Sequence, residues 1–95
     1  MTRQLATLSD KVINYVRNAI DGTVAQEEGR YPVVGFVITA AGIASQRQLD
    51  TLEEEGHIKS IEISVPSTLV PGKFVKQKAY YTERLVPQYV KDLIQ

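Results

Sequence analysis

The chain has no cysteine, a single histidine and no net charge, its 11 basic residues being matched by 11 acidic ones. Without cysteine, neither a disulfide framework nor a thiolate metal site can form. With His57 as the only imidazole, no recognised ligand spacing for a metal centre is present. Long apolar runs are missing too. Nothing approaches the roughly eighteen uninterrupted apolar residues of a membrane span. The opening segment MTRQLATLSDKV holds no apolar stretch of the kind a secretory leader needs. A cytoplasmic protein is therefore expected, with no membrane partner. Internal repeats, low-complexity tracts, a glycine-rich phosphate loop and a nucleophile elbow are all lacking. Glu53, Glu54 and Glu55 follow one another at a helix end and do not face each other across a cavity. His57 falls between Gly56 and the start of a strand. The expectation is a protein that is not an enzyme and uses no cofactor and no metal.

What is present fits one domain. Ninety-five residues suffice for a single hydrophobic core, and a chain this short buries a modest share of its surface. Oligomerisation would ease that limit. Zero net charge weighs against nucleic-acid binding unless the charge is segregated, because phosphate contacts dominate such affinity. Segregation is visible. Acids gather at Glu27, Glu28 and Glu53 to Glu55, whereas Lys73, Lys76 and Lys78 sit together with no acid among them.

The periodicity orders the chain. Ser9 is placed to cap a helix, with Asp10 against the positive end of its dipole. Val12, Ile13, Val16, Ala19 and Ile20 then recur at helical spacing, and Gly22 supplies a stop, so a helix is predicted over 9–21. Residues 23–32 read as a loop. The apolar, β-branched segment 33–42 reads as strand by composition. Pro32 would equally suit the first turn of a helix. Ser45 with Gln48 three residues on forms a capping box, Leu49 and Leu52 give an inward edge and Gly56 ends the segment, predicting a helix over 45–55. Ile61, Ile63 and Val65 alternate with Ser60, Glu62 and Ser64, the pattern of a half-buried strand. PSTLVPG breaks that strand, and KFVKQKAYYTERLV resumes in extended style, giving a hairpin. Pro87 opens a last helix whose Tyr89, Val90, Leu93 and Ile94 share one side.

The segment GIASQRQLDTLEEEGHI, residues 42–58, resembles the recognition-helix region of winged helix-turn-helix DNA-binding domains. A small-residue turn, a polar helix start, paired leucines, an acidic stretch and then glycine with an apolar residue are shared. Tyr80-Tyr81-Thr82-Glu83-Arg84-Leu85 is similar to the returning strand of the wing. The resemblance spans residues 9–85. It departs from the pattern in a turn one residue longer after Gly42, and in a second helix that would contain Gly35 and several β-branched residues. The resemblance implies an α+β fold of three helices with a β-hairpin wing, extended by a C-terminal helix over 86–95. It also makes 33–41 the second helix.

What the resemblance implies about function is sequence-specific binding of double-stranded DNA. Ser45, Gln46, Arg47, Gln48 and Thr51 would enter the major groove, where Arg suits guanine and Gln suits adenine. From residue type alone the favoured reading is that Gln46, Arg47 and Gln48 solvate a surface helix, and it is the resemblance that brings DNA forward. Lys73, Lys76 and Lys78 would meet the DNA backbone from the wing, and edge-strand lysines also guard against aggregation. Asp50 and Glu54 carry the wrong sign for that surface. The apolar hairpin tip, Leu69-Val70-Pro71, is expected to pack back on the domain, with a partner contact or a minor-groove wedge as alternatives. The terminal helix must cover its apolar side, either on the chain itself or on its twin, and a homodimer through Tyr89, Val90, Leu93 and Ile94 is expected. The whole then reads as a compact transcriptional regulator or a plasmid or phage DNA adaptor. The competing reading is a winged-helix protein-interaction module. A third class, a ligand-sensing regulator, would need a pocket.

Overall fold

The computed structural model describes residues 8–94. Most of the opening segment read above for a leader, and Gln95, lie outside the described residues. The elements in order are α1 (Asp10–Gln26), β1 (Val33–Val34), α2 (Gly35–Ala40), α3 (Gln46–Glu54), β2 (Lys59–Pro66), β3 (Phe74–Tyr81) and α4 (Gln88–Ile94). The fold is thus α+β, with four helices and a three-stranded antiparallel sheet among the described residues.

Helix α1 starts where its cap predicts, the Ser9 hydroxyl accepting from the Val12 N–H at 3.3 Å. It does not stop at Gly22 but runs on to Gln26. The reason is packing. Val24 continues the stripe of Ile13, Val16 and Ile20 by one more turn and is wholly buried. Burying a valine is worth about 1.5 kcal/mol or more. That outweighs a mid-helix glycine, which costs about 1 kcal/mol. The left-handed stop falls instead at Glu28 and Gly29, whose φ angles are +58° and +72°. The Gly29 N–H returns to the Val24 carbonyl at 2.9 Å.

Segment 33–41 is divided, not wholly helical. Val33 and Val34 pair with Tyr80 and Ala79 as a short strand, and α2 begins only at Gly35. Composition was the better guide for the two valines, and Pro32 precedes the strand without opening a helix. Gly35 marks the change of direction. A Cβ there would stand 3.0 Å from Cε1 of Tyr80 and 3.4 Å from the Lys78 carbonyl oxygen. Glycine lets α2 lie this close to β3 without displacing the Tyr80 ring.

Strand order is β1-β3-β2, with Ile61 opposite Ala79 and Val65 opposite Val75. Alternation along β3 puts Tyr80, Lys78, Lys76 and Phe74 on one face and Ala79, Gln77 and Val75 on the other. Against the first face, at its Tyr80 end, the helices close the core. Ile20 and Val24 of α1, Ile38 of α2, Leu49 and Leu52 of α3, Ile58, Val33 and Tyr80 form one buried cluster. Buried Thr82 pins the return of the chain to α1, its hydroxyl donating to the Asp21 carboxylate.

Two expectations about the periphery change. The hairpin tip does not pack back: Leu69 is 89% exposed. Its turn is held locally, the Ser67 hydroxyl accepting from the N–H groups of Leu69 and Val70. Helix α4 docks on the loop between α1 and β1, where the Gln88 and Tyr89 N–H groups each reach a carbonyl, of Gly29 and Arg30, at 2.8 Å. Val90 is buried in the chain's own fold and presents nothing to a second copy, while Leu93 and Ile94 stay exposed. No helix of the described residues is long and apolar enough to cross a membrane.

Candidate nucleic-acid interface

Helix α3 is fixed by its capping box. The Ser45 hydroxyl accepts from the Gln48 N–H at 3.2 Å, and the Gln48 side-chain oxygen accepts from the Ser45 N–H at 3.0 Å. Two orphan donors of the first turn are thereby satisfied. At the other end Gly56 takes φ +84° and the His57 N–H caps the Leu52 carbonyl at 2.9 Å. The apolar edge of Leu49 and Leu52 is wholly buried.

Two cross-links set the side of α3 that faces β3. The Gln46 amide donates to the Tyr80 hydroxyl at 3.1 Å and to Asp50 at 3.0 Å. One helical turn or two further on, Glu53 meets the Lys78 ammonium at 2.7 Å and accepts from the Ser60 hydroxyl. Burial works to raise the Glu53 carboxyl, but the Lys78 and Ser60 hydrogen bonds prevail and hold it below the usual carboxylate range. The Glu53 hydrogen bond raises the Lys78 ammonium in turn, against a smaller effect of burial. Tyr80 and Lys78 lie on one face of β3, so the next residues of that face, Lys76 and Phe74, continue the surface that α3 begins. Lys73 stands at the turn beyond them.

Among the eight side chains that the sequence offers for DNA, the structure distinguishes two groups. Ser45 and Gln48 are occupied with capping, Gln46 with Tyr80 and Asp50, and Lys78 with Glu53. The Thr51 hydroxyl donates to the Arg47 carbonyl at 3.0 Å. Arg47, Lys73 and Lys76 are exposed and have no ion-pair partner among the described residues. Gln46, Asp50 and Glu53 form the stripe of α3 next to the sheet, and Arg47 heads the adjoining outward stripe with Thr51 and Glu54.

Three residues that build this surface are not singled out by the sequence. Tyr80 and Glu53 join the helix to the sheet, and Phe74, 67% exposed, stands beside the lysines. The alternation Tyr80-Lys78-Lys76-Phe74 was the available signal, since it places an aromatic on the lysine face. The His57 side chain lies 3.5 Å from the Glu55 carboxylate. Compared with known protein families, with curated proteins and with solved structures, the chain matches none.

Proposed function

We propose that the protein binds double-stranded DNA, with the first turns of α3 in the major groove and the lysine face of the β2–β3 hairpin against the adjoining backbone. The observation that carries this reading is the shared surface. Gln46–Tyr80 and Glu53–Lys78 tie α3 to the β3 face that also bears Lys76, which supports a surface shared by Arg47 and the hairpin cations. The element order, with β1 paired to the second hairpin strand, is compatible with a winged helix-turn-helix layout, the family that residues 42–58 resemble.

Arg47 is the residue placed to read sequence, since its fork of donors matches guanine O6 and N7. Lys73 and Lys76 neutralise phosphates, which orients the domain without conferring specificity. Gln46 acts as a positioning residue, holding α3 on Tyr80. Asp50 keeps a partner of its own in the Gln46 amide, which tempers its repulsion of phosphate. In this reading the protein serves as a small transcriptional regulator or a plasmid- or phage-type DNA adaptor.

The test uses fluorescence anisotropy with a pool of random duplexes and with a duplex enriched from that pool by the protein. Arg47→Ala is expected to bind both alike, losing a preference worth about 1–3 kcal/mol, while Lys76→Ala weakens both by a similar factor. Failure of the wild-type protein to bind either duplex at low salt overturns the reading. The bare apolar hairpin tip, Leu69 with Phe74 behind it, favours a second reading as a protein-interaction module. That reading predicts no duplex binding at any salt concentration.

A further inference from the structure

On the face of the sheet opposite Lys76 and Lys78, an apolar groove of about 360 Å³ opens between the end of α1, the β1 strand and the start of α4. Tyr31, Val34, Val37, Ile63, Val65 and Tyr89 line it. Tyr31 and Tyr89 stand against each other there, ring centroids 6.0 Å apart. Val37 is 48% exposed and Tyr31 50%, so the groove lies open. Glu27 forms its acidic rim and has no ion-pair partner among the described residues.

Beside the hole is a knob. Helix α4 buries Val90, and its next turn carries Leu93 and Ile94 out past the domain with 56% and 73% of their surfaces exposed. Helical spacing places Leu93 on the stripe that Tyr89 begins, and Lys91 next to Ile94. Lys91 also has no ion-pair partner among the described residues. A two-fold interface requires one patch that is complementary to itself, with hole and knob both present on it. Tyr89 lines the hole and leads to the knob, so a two-fold axis passing near Tyr89 exchanges the two.

We propose that a second copy of this chain occupies the groove, each α4 placing Leu93 and Ile94 into its partner's groove and Lys91 against its partner's Glu27. The charges decide between occupants. An acidic rim over an apolar floor fits an apolar segment flanked by a cation, and Leu93 and Ile94 with Lys91 supply one, the Asp92 carboxylate between them accepting from the Gln88 amide of the same helix at 2.8 Å. This interface stands independently of the DNA reading, since it uses the opposite face of the sheet.

Sedimentation equilibrium of the full chain without DNA tests it. The wild type is expected to be a reversible dimer. Leu93→Glu and Val37→Glu, both at exposed positions, are each expected to weaken dimerisation by at least about tenfold with unchanged circular dichroism. Leu69→Glu, at the hairpin tip, is expected to leave it intact. Glu27→Lys and Lys91→Glu are each expected to weaken it, and the double swap to restore it, because the pair would meet again with the charges reversed. A wild-type monomer at all concentrations overturns the proposal. So does a dimer that Leu93→Glu and Val37→Glu leave unchanged, or one that Leu69→Glu dissociates.

Discussion

At the scale of single residues, the surface described here is decided by which polar groups are already occupied. Gln46 and Arg47 are neighbours in sequence with similar reach. Gln46 donates to Tyr80 and Asp50, whereas Arg47 extends from the next stripe with no charged partner among the described residues. The same rule separates Lys78 from Lys76. Lys78 holds Glu53, and together they fasten α3 to the sheet, so this pair belongs to the architecture of the site and not to its contact surface.

The Glu53–Lys78 pair also has a pH signature. Glu53 titrates lower in the folded chain than in the unfolded one, so its contribution to stability is full above the unfolded-state value and is lost as pH falls through the folded-state value. Lys78 titrates higher when folded, so its contribution is full below its unfolded-state value and is lost as pH rises through the folded-state one. Both side chains are partly solvated, and the pair is worth about 0.2–1 kcal/mol. Glu53→Gln is expected to cost that much at neutral pH. The difference from wild type should narrow in acid, as followed by urea unfolding between neutral and acid pH. A difference that stays constant into acid contradicts the assignment.

At the scale of elements, α3 and the two hairpin strands are legible because their signals are local. The capping box of Ser45 and Gln48, the pair Leu49 and Leu52, and the stop at Gly56 all lie within a dozen residues and all take the predicted roles. Helix α1 outruns the stop that Gly22 suggests, because what carries it onward is the burial of Val24, a tertiary event. In segment 33–41 the strand that composition suggests holds for Val33 and Val34 and the helix that the resemblance implies begins only at Gly35, a division no local signal marks because the strand partners Tyr80 and Ala79 lie more than forty residues later. The site was legible in outline only. Residue type and spacing bring Arg47 and the lysines forward, but the engagement of Gln46 and Lys78 depends on side-chain contacts that sequence does not display.

The element most sensitive to a small change is the β1–α2 junction. Tyr80 is wholly buried and its hydroxyl is bonded to Gln46, so its ring has little room to retreat from a new methyl group at position 35. Gly35→Ala is therefore expected to destabilise the fold by about 1–3 kcal/mol, the usual cost of overpacking. The stability of Gly35→Ala in urea checks this. A gain, as helix propensity alone would give, contradicts the close approach of α2 to β3.

At the scale of the whole molecule, the protein has no net charge to draw a polyanion from a distance. Attraction to DNA must come from a few local cations. Three of them, Arg47, Lys73 and Lys76, stand on the proposed interface without an ion-pair partner among the described residues. The opposite face of the sheet holds the apolar groove and adjoins the α4 overhang, so the two proposed surfaces do not compete. Duplex binding by fluorescence anisotropy across a salt series probes these cations directly. Three phosphate-binding cations predict a linear fall of log affinity with log salt, with a slope of about −3 for each bound chain, and a slope shallower by about 1 in Lys76→Ala. No binding at low salt, or an affinity that salt does not change, would contradict the DNA reading.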